Sequence, residues 1–185
     1  MSGTEANFTS GEQQALAQLR EELKKVEEWP PDSPVSFVLT LASRTRGKLG
    51  EKLIARYATH AGLTVGKAKS VSYDLSVGEA RCEVKFSTED PPRFQQVRDP
   101  RLPDDTIKYD YLVCISARPA GLSYWMIPAK DVSELMDEAY ITVQHAMSDT
   151  KWFLPSRMAS DAFSEFRHDY DGMIAELRAV AAPAD

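Results

Sequence analysis

Cysteine and histidine are scarce in this sequence, and their scarcity excludes several classes of protein. The 185 residues contain two cysteines and three histidines, and none of these shows the spacing of zinc ligands. Cys82 and Cys114 both lie in apolar, strand-like runs, where we expect buried free thiols rather than a disulfide. A glycine-rich phosphate loop is also missing, and no serine, histidine and aspartate are spaced as in a hydrolase triad.

Long apolar runs are missing as well. No segment approaches the length that a membrane-spanning helix needs. The first residues, MSGTEANFTSGEQQ, lack the basic and apolar regions of a signal peptide. We therefore expect a cytoplasmic protein with no membrane partner. With 43% hydrophobic and 27% charged residues, the composition is that of a soluble globular domain with appendages.

Positive charge is in short supply overall but is concentrated in one stretch. The net charge is −6, yet residues 33–69 contain seven basic residues and one acidic residue, a local net charge of +6. Arg44, Arg46 and Lys48 open this stretch. A basic stretch on an acidic chain predicts a surface that contacts phosphates, and a helix with a solvated basic face is the alternative.

The hydrophobic periodicity predicts alternating helices and strands. Leu16, Leu19, Leu23 and Val26 predict a helix over 11–28, and the proline-rich residues 29–34 form a linker. The run at 37–41 is apolar and is either helical or extended. The remaining long helices are predicted over 45–61, 131–139 and 160–179, and the first of them ends at Gly62. A further short helix is predicted to start at Asp90 and to carry residues 94–98. The predicted strands are 63–67, 70–77, 80–87, 109–116 and 122–127.

Two of these helices carry apolar stripes whose packing can be predicted. Leu49, Leu53, Ile54 and Tyr57 form the expected buried stripe of the helix over 45–61. In the last helix the stripe contains Phe163, Phe166, Tyr170, Met173 and Leu177. The first and the last predicted helices, over 11–28 and 160–179, are expected to pack on each other, on the core or across a dimer.

The segment YDLSVGEARCEVKFST contains the residues most informative about function. If 80–86 is a strand, Cys82 and Val84 face the core, whereas Glu83 and Lys85 share the opposite face. Asp74 precedes them across a turn at residues 77–79. Carboxylate oxygens suit Mg²⁺, and a neighbouring amine suits the orientation of a nucleophilic water. We interpret Asp74 and Glu83 as metal ligands and Lys85 as the water-positioning group; a solvated Glu–Lys pair is the alternative.

In this order of elements and motifs, residues 44–130 resemble the PD-(D/E)XK, or restriction-endonuclease-like, nuclease superfamily. Asp74 matches the aspartate of the motif, and Glu83-Val84-Lys85 matches its (D/E)xK. Tyr73 stands where the motif has proline. The resemblance implies that Glu51, in GKLGEKLIARYATHAG, is the acidic residue of the first core helix and a further metal ligand. It also implies that Gln95 or Gln96, in FSTEDPPRFQQVRDP, contacts the active site or the DNA.

The resemblance implies an α/β fold with an αβββαβ core, in which helices flank a mixed central sheet, and with extra N- and C-terminal helices. The expected divisions are an N-terminal helix and linker (1–34), a nuclease core (35–140) and a C-terminal helical extension (141–185), which packs on the core or on a dimer partner.

The expected activity is Mg²⁺-dependent cleavage of double-stranded DNA, with Mn²⁺ as a substitute, by a homodimeric type II restriction-type enzyme that defends against foreign DNA. A partner methyltransferase or another defence subunit is also expected. Two alternatives stay open: a structure-directed repair or recombination nuclease, and a non-catalytic DNA-binding or assembly subunit with the same fold.

Overall fold

A computed structural model describes residue 14 and residues 29–30, 32–68, 71–101, 107–143, 151–153 and 161–182. The predicted helix over 11–28 lies outside the described residues except for residue 14. The helices are a 3₁₀ helix at Ser36–Thr40, α1 (Ser43–His60), α2 (Ala129–Asp137), α3 (Asp161–Ser164) and α4 (Tyr170–Ala181). The strands are β1 (Val65–Lys67), β2 (Leu75–Val77), β3 (Ala80–Ser87), β4 (Tyr111–Arg118), β5 (Gly121–Pro128), β6 (Ile141–Val143), β7 (Lys151–Phe153) and β8 (Arg167–His168).

The main sheet is mixed and has six strands in the order β1-β2-β3-β4-β5-β8. β3 and β4 are parallel, and the other neighbouring pairs are antiparallel. β6 and β7 form a separate two-stranded sheet. The protein therefore has the predicted α/β class, and β4 lies inside the sheet as its continuously apolar sequence predicts.

Apolar side chains cover both faces of the sheet because neighbouring residues of a strand point in opposite directions. Val113 and Ile115 of β4 face one apolar cluster, to which α1 and α4 contribute. Leu112 and Cys114 face the other cluster, to which α2 contributes. Both cysteines are buried free thiols, as predicted.

Helix α1 packs on the sheet through a narrower stripe than the sequence predicts. Ile54 is buried as expected, but Gly50 and Ala58 complete the buried face, and the predicted Leu49, Leu53 and Tyr57 are only partly buried. The reason is the close approach at Gly50, where a Cβ atom would lie 3.2 Å from Cβ of Phe86 on β3.

The predicted end of α1 at Gly62 is confirmed. Gly62 adopts φ +80, which glycine permits without steric cost. Its N–H donates to Thr59 O at 3.0 Å, and Leu63 N–H donates to Ala58 O at 2.9 Å. These two bonds form a Schellman motif, which turns the chain towards β1.

The helix predicted from Asp90 is wrong. Residues 88–101 contain no helix, and Gln96 has φ 56, a left-handed conformation that a right-handed helix cannot contain. The Ser87 hydroxyl accepts hydrogen bonds from the N–H groups of Glu89 (3.2 Å) and Arg93 (3.0 Å), which organise an irregular segment instead. The predicted αβββαβ order therefore lacks its second helix in the described part of the connection between β3 and β4.

The single helix predicted over 160–179 is also wrong. It is divided into α3 and α4 by β8, which pairs with the edge of β5 through Tyr124–His168 and Trp125–Arg167. Asp169 then caps α4, because its side chain accepts a hydrogen bond from Gly172 N–H at 2.9 Å. Met173, Ile174 and Leu177 of α4 are buried against the sheet.

The remaining expectations differ in detail. The run at 37–41 forms the 3₁₀ helix, and the strand predicted over 70–77 begins only at Leu75. The domain boundaries stay predictions. Among the described residues, we find no helix that combines the length and the apolar character needed to cross a bilayer.

Candidate active site

Asp74 is fixed to the edge of β3 at the point where β2 begins. Leu75 of β2 pairs with Cys82, and the N–H of Asp74 donates to Cys82 O at 2.9 Å. Further along β3, β2 no longer pairs with the strand, and the Asp74 side chain takes the place of β2. Oδ2 of Asp74 accepts a hydrogen bond from Val84 N–H at 2.7 Å. The carboxylate is therefore held by the backbone of the strand that carries Glu83 and Lys85.

Glu83 and Lys85 form a buried ion pair on β3. Lys85 Nζ lies 2.6 Å from Glu83 Oε1, and the two side chains are 16% and 5% exposed, respectively. Burial raises the pKa of Glu83, and the nearby charge of Asp74 raises it further, whereas Lys85 lowers it. The effect of burial on this pKa therefore outweighs that of the Lys85 amine, although the amine is in hydrogen-bond contact with the carboxylate.

Glu51 approaches the same place from α1. Burial raises the pKa of Glu51, and Asp74 raises it further, whereas Lys48 and Lys85 lower it. Asp74 thus repels both Glu51 and Glu83, and the repulsion is of the kind that a bound cation relieves. Within the described ranges, no three His, Cys, Asp or Glu side chains are grouped closely enough to hold a metal ion. A magnesium ion here would depend on fewer protein ligands and on water, as is common for this ion.

These elements surround an open cavity of about 830 Å³ between α1, the edge of β3 and the segment after β3. Six basic and three acidic side chains line it, which gives its wall a net charge of +3 on a chain of net charge −6. The charged lining residues are Arg44, Arg46, Lys48, Lys85, Arg93 and Arg98, with Glu51, Asp74 and Glu89.

Eight of the nine site residues predicted from the sequence line this cavity. The exception is Glu83, which is 4% exposed and is paired with Lys85. Gln95 and Gln96 reach the cavity from the irregular segment, not from a helix, and both are exposed. The structure thus brings the predicted residues together, while their chemical roles stay predictions.

Arg93 and Arg98 belong to this cavity and were missed by sequence reasoning. The carbonyl oxygen of Arg98 accepts a hydrogen bond from the buried Tyr109 hydroxyl at 2.7 Å, and its guanidinium donates to Val71 O. Arg98 also lies close enough to Glu83 to lower the pKa of that carboxyl. The signal was present in PPRFQQVRDP, where an arginine precedes and another follows the two glutamines.

No family model matches the chain, and no curated protein matches it. Among solved structures, it is similar to that of a bacterial homing endonuclease, I-Ssp6803I, with 13% sequence identity and a TM-score of 0.46. The similarity covers 77% of this chain and 100% of the other.

Proposed function

We propose that this protein is a metal-dependent nuclease that hydrolyses phosphodiester bonds of double-stranded DNA. The observation that carries the proposal is that the carboxylates of Glu51 and Asp74 and the amine of Lys85 line the same cavity, beside a wall of net positive charge. Duplex DNA is a polyanion, and basic side chains hold its phosphates whatever the sequence. The resemblance to PD-(D/E)XK nucleases supports the same chemistry.

The carboxylates suit Mg²⁺, or Mn²⁺ in its place, because these hard cations prefer oxygen ligands. We assign Asp74 and Glu83 as ligands, and Glu51 assists directly or through water. A bound ion supplies a water of lowered pKa and stabilises negative charge as the phosphodiester is attacked. The hydrogen bond from Val84 N–H restrains Asp74 through Oδ2, so we assign its Oδ1 to the ion.

Lys85 is the residue that we assign to the nucleophilic water. Its side chain is mostly buried and lines the cavity, with Nζ held 2.6 Å from Glu83 Oε1. A cation fixed in this way can orient a water molecule and can oppose the charge that develops on the phosphate. Glu83 positions the amine through this contact.

The test is incubation of the purified protein with supercoiled plasmid and phage DNA, with Mg²⁺ or with EDTA. Glu83→Ala and Lys85→Ala are compared with the matched controls Glu79→Ala and Lys67→Ala, whose side chains are exposed and lie outside the cavity lining. We expect Mg²⁺-dependent cutting by the wild type and both controls and none by the site variants. Equal cutting by all five proteins would refute the assignment.

The biological setting that we propose is restriction-type defence by a homodimer, with a methyltransferase as a possible partner protein. Discrete fragments from phage DNA would support sequence-specific restriction. Smearing, or cutting only at branched DNA, would instead support the alternative of a repair or recombination nuclease. Sedimentation with and without duplex DNA tests the dimer.

A second candidate function is DNA binding without cleavage. One observation favours it: Glu83 is buried, is paired with Lys85 and does not line the cavity. In a purely structural role, this pair would support the β3 edge while the basic wall holds DNA. Binding in EDTA that is not followed by cutting with Mg²⁺ or Mn²⁺ on any substrate would favour this candidate.

A further inference from the structure

We propose that the end of the cavity away from Asp74 is a second phosphate-binding site, formed by Arg44, Arg46, Thr88 and Arg93 and called here the distal site. It would bind a DNA phosphate about one to three nucleotides from the one that is cleaved. The substrate class is then a nucleic acid strand long enough to reach both ends of the cavity, and not a mononucleotide. This inference rests on the proposed function for the position of the cleaved bond.

The distal site joins α1 to the segment after β3. Arg46 Nη1 donates to Thr88 Oγ1 at 3.0 Å, so the guanidinium is held at the cavity wall. Arg118, on β4, donates from Nη1 to the carbonyl oxygen of Thr88 at 3.3 Å. These bonds fix Thr88 from two directions and orient Arg46 before any ligand arrives, which lowers the entropy lost on binding.

Arg93 is brought to the same end by a turn that is organised on Ser87. The Ser87 side chain is buried, and its hydroxyl accepts from the N–H of Arg93 at 3.0 Å. Arg93 Nε also lies 3.4 Å from Glu89 Oε2, in a pair whose side chains are 38% and 52% exposed. An ion pair this exposed contributes little to stability, so a phosphate can compete with Glu89 for the guanidinium.

The two ends of the cavity differ in charge. At the distal end Arg44, Arg46 and Arg93 face a single acidic residue, Glu89, which gives +2. The other end combines Lys48, Lys85 and Arg98 with Glu51 and Asp74, which gives +1, and Lys48 is close enough to Glu51 to lower the pKa of that carboxyl. Electrostatic attraction for a DNA strand is therefore stronger at the distal site than at the end proposed for cleavage.

Two independent spacings give the distance between the ends. Arg46 and Glu51 are five residues apart on α1, which corresponds to about 7.5 Å along a helix. Lys85 and Thr88 are three residues apart along and just beyond β3, which corresponds to about 10 Å of extended chain. Because each strand of DNA advances about 3.4 Å per nucleotide along the helix axis, and its neighbouring phosphates lie further apart than this along the backbone, these distances span about one to three nucleotides.

The experiment measures binding in EDTA, so that its readout does not depend on cleavage. Fluorescence anisotropy gives the affinity of a labelled DNA duplex as a function of salt, and the affinities of unlabelled strands of increasing length, from dinucleotides upward. The variants are Arg46→Gln, Arg93→Gln and Glu89→Gln. Arg56→Gln is the matched control, because Arg56 is exposed on the same helix but does not line the cavity.

For the wild type we expect a steep gain in affinity once a strand is long enough to reach both ends. Arg46→Gln and Arg93→Gln should each weaken duplex binding roughly tenfold at low salt and should remove that gain. Each should also lower the slope of log affinity against log salt by about 0.9, the value for one phosphate contact in a duplex. Glu89→Gln should tighten binding, because it removes the competitor for Arg93.

Effects no larger than those of Arg56→Gln, with circular dichroism showing folded variants, would overturn the distal site. If the arginine variants do not fold, Glu89→Gln decides: unchanged or weaker binding by this variant overturns the site. Failure of the proposed nuclease function is a separate outcome, in which Mg²⁺ produces no cutting while the dependence on strand length and on the two arginines persists.

Discussion

Two ion pairs involve residues that alternate along one face of β3, Arg81 with Asp110 and Glu83 with Lys85, and the two pairs behave differently. Arg81 and Asp110 form three hydrogen bonds of 2.7–3.0 Å, to which the Arg81 N–H contributes, and both oxygens of the carboxylate are used. Glu83 and Lys85 share one contact of 2.6 Å and are far more deeply buried. Both Asp110 oxygens thus have partners within the first pair, whereas the second pair shows a single contact among the described residues.

The pKa values follow this difference. Burial acts to raise the pKa of Asp110, but the hydrogen bonds from Arg81 outweigh it and lower the pKa. Burial raises the pKa of Glu83, and its lysine does not offset the effect. The Arg81–Asp110 pair joins β3 to the residue that precedes β4. The Glu83–Lys85 pair lies at the proposed active site, where perturbed pKa values are common.

The largest expected effect is on DNA cleavage, and it distinguishes the Glu83–Lys85 pair from the Arg81–Asp110 pair. Lys85→Ala should lower the rate of plasmid cleavage about 100- to 1000-fold, because it removes the charge that opposes the developing phosphate charge. The same change should lower the free energy of unfolding by about 3 kcal/mol, since Glu83 loses its partner.

The double variant Glu83→Gln/Lys85→Met sharpens this prediction. It should recover most of the lost stability in urea denaturation but none of the cleavage, because it leaves neither a buried charge nor the reactive pair. Recovery of cleavage would contradict a chemical role for the pair.

Asp110→Asn should show the opposite behaviour. It removes the negative charge and one of the two acceptor oxygens of a partly exposed network, and we expect a loss of about 1–2 kcal/mol in the free energy of unfolding. Asp110 lies outside the cavity lining, so plasmid cleavage at a temperature where the variant is folded should match that of the wild type. A loss of cleavage as large as that of Lys85→Ala would remove the distinction between the two pairs.

Tyr109→Phe should have a smaller effect. The change removes the hydroxyl that donates to Arg98 O at 2.7 Å and leaves the fully buried ring in place. We expect a loss of about 1 kcal/mol, measured as a shift of the urea midpoint. Because this bond restrains the segment that carries Arg98, DNA affinity should weaken slightly as well. A stable variant with wild-type affinity would show that the bond does not organise the cavity.

The smallest expected effect is in the pH dependence of stability. Since folding lowers the pKa of Asp110, the pair stabilises the protein above the ordinary aspartate pKa of about 4 and loses this contribution as the pH falls through the folded-state value. The difference in melting temperature between the wild type and Asp110→Asn should therefore be constant near neutral pH and should shrink below about pH 4. A difference that grows on acidification would contradict the assigned sign.

Local patterns predicted most of the elements around the site. The alternation at 80–86 predicts β3, the apolar run at 109–116 predicts the interior strand β4, and Gly62 predicts the end of α1. Each of these three predictions rests on residues that are close together in the sequence. The helix predicted from Asp90 failed because the hydrogen bonds of that segment come from Ser87 and because Phe94 and Val97 are buried against distant parts of the sheet.

The sequence by itself determined the α/β class, the residues of β3 and the concentration of basic side chains near residue 44. These follow from periodicity and charge, which are properties of short stretches. Only the tertiary structure decided that Glu83 is buried and paired with Lys85, that Arg93 and Arg98 join the cavity, and that β8 interrupts the last helix. Such features depend on contacts between residues far apart in the chain, and no local pattern specifies which segment will supply the partner.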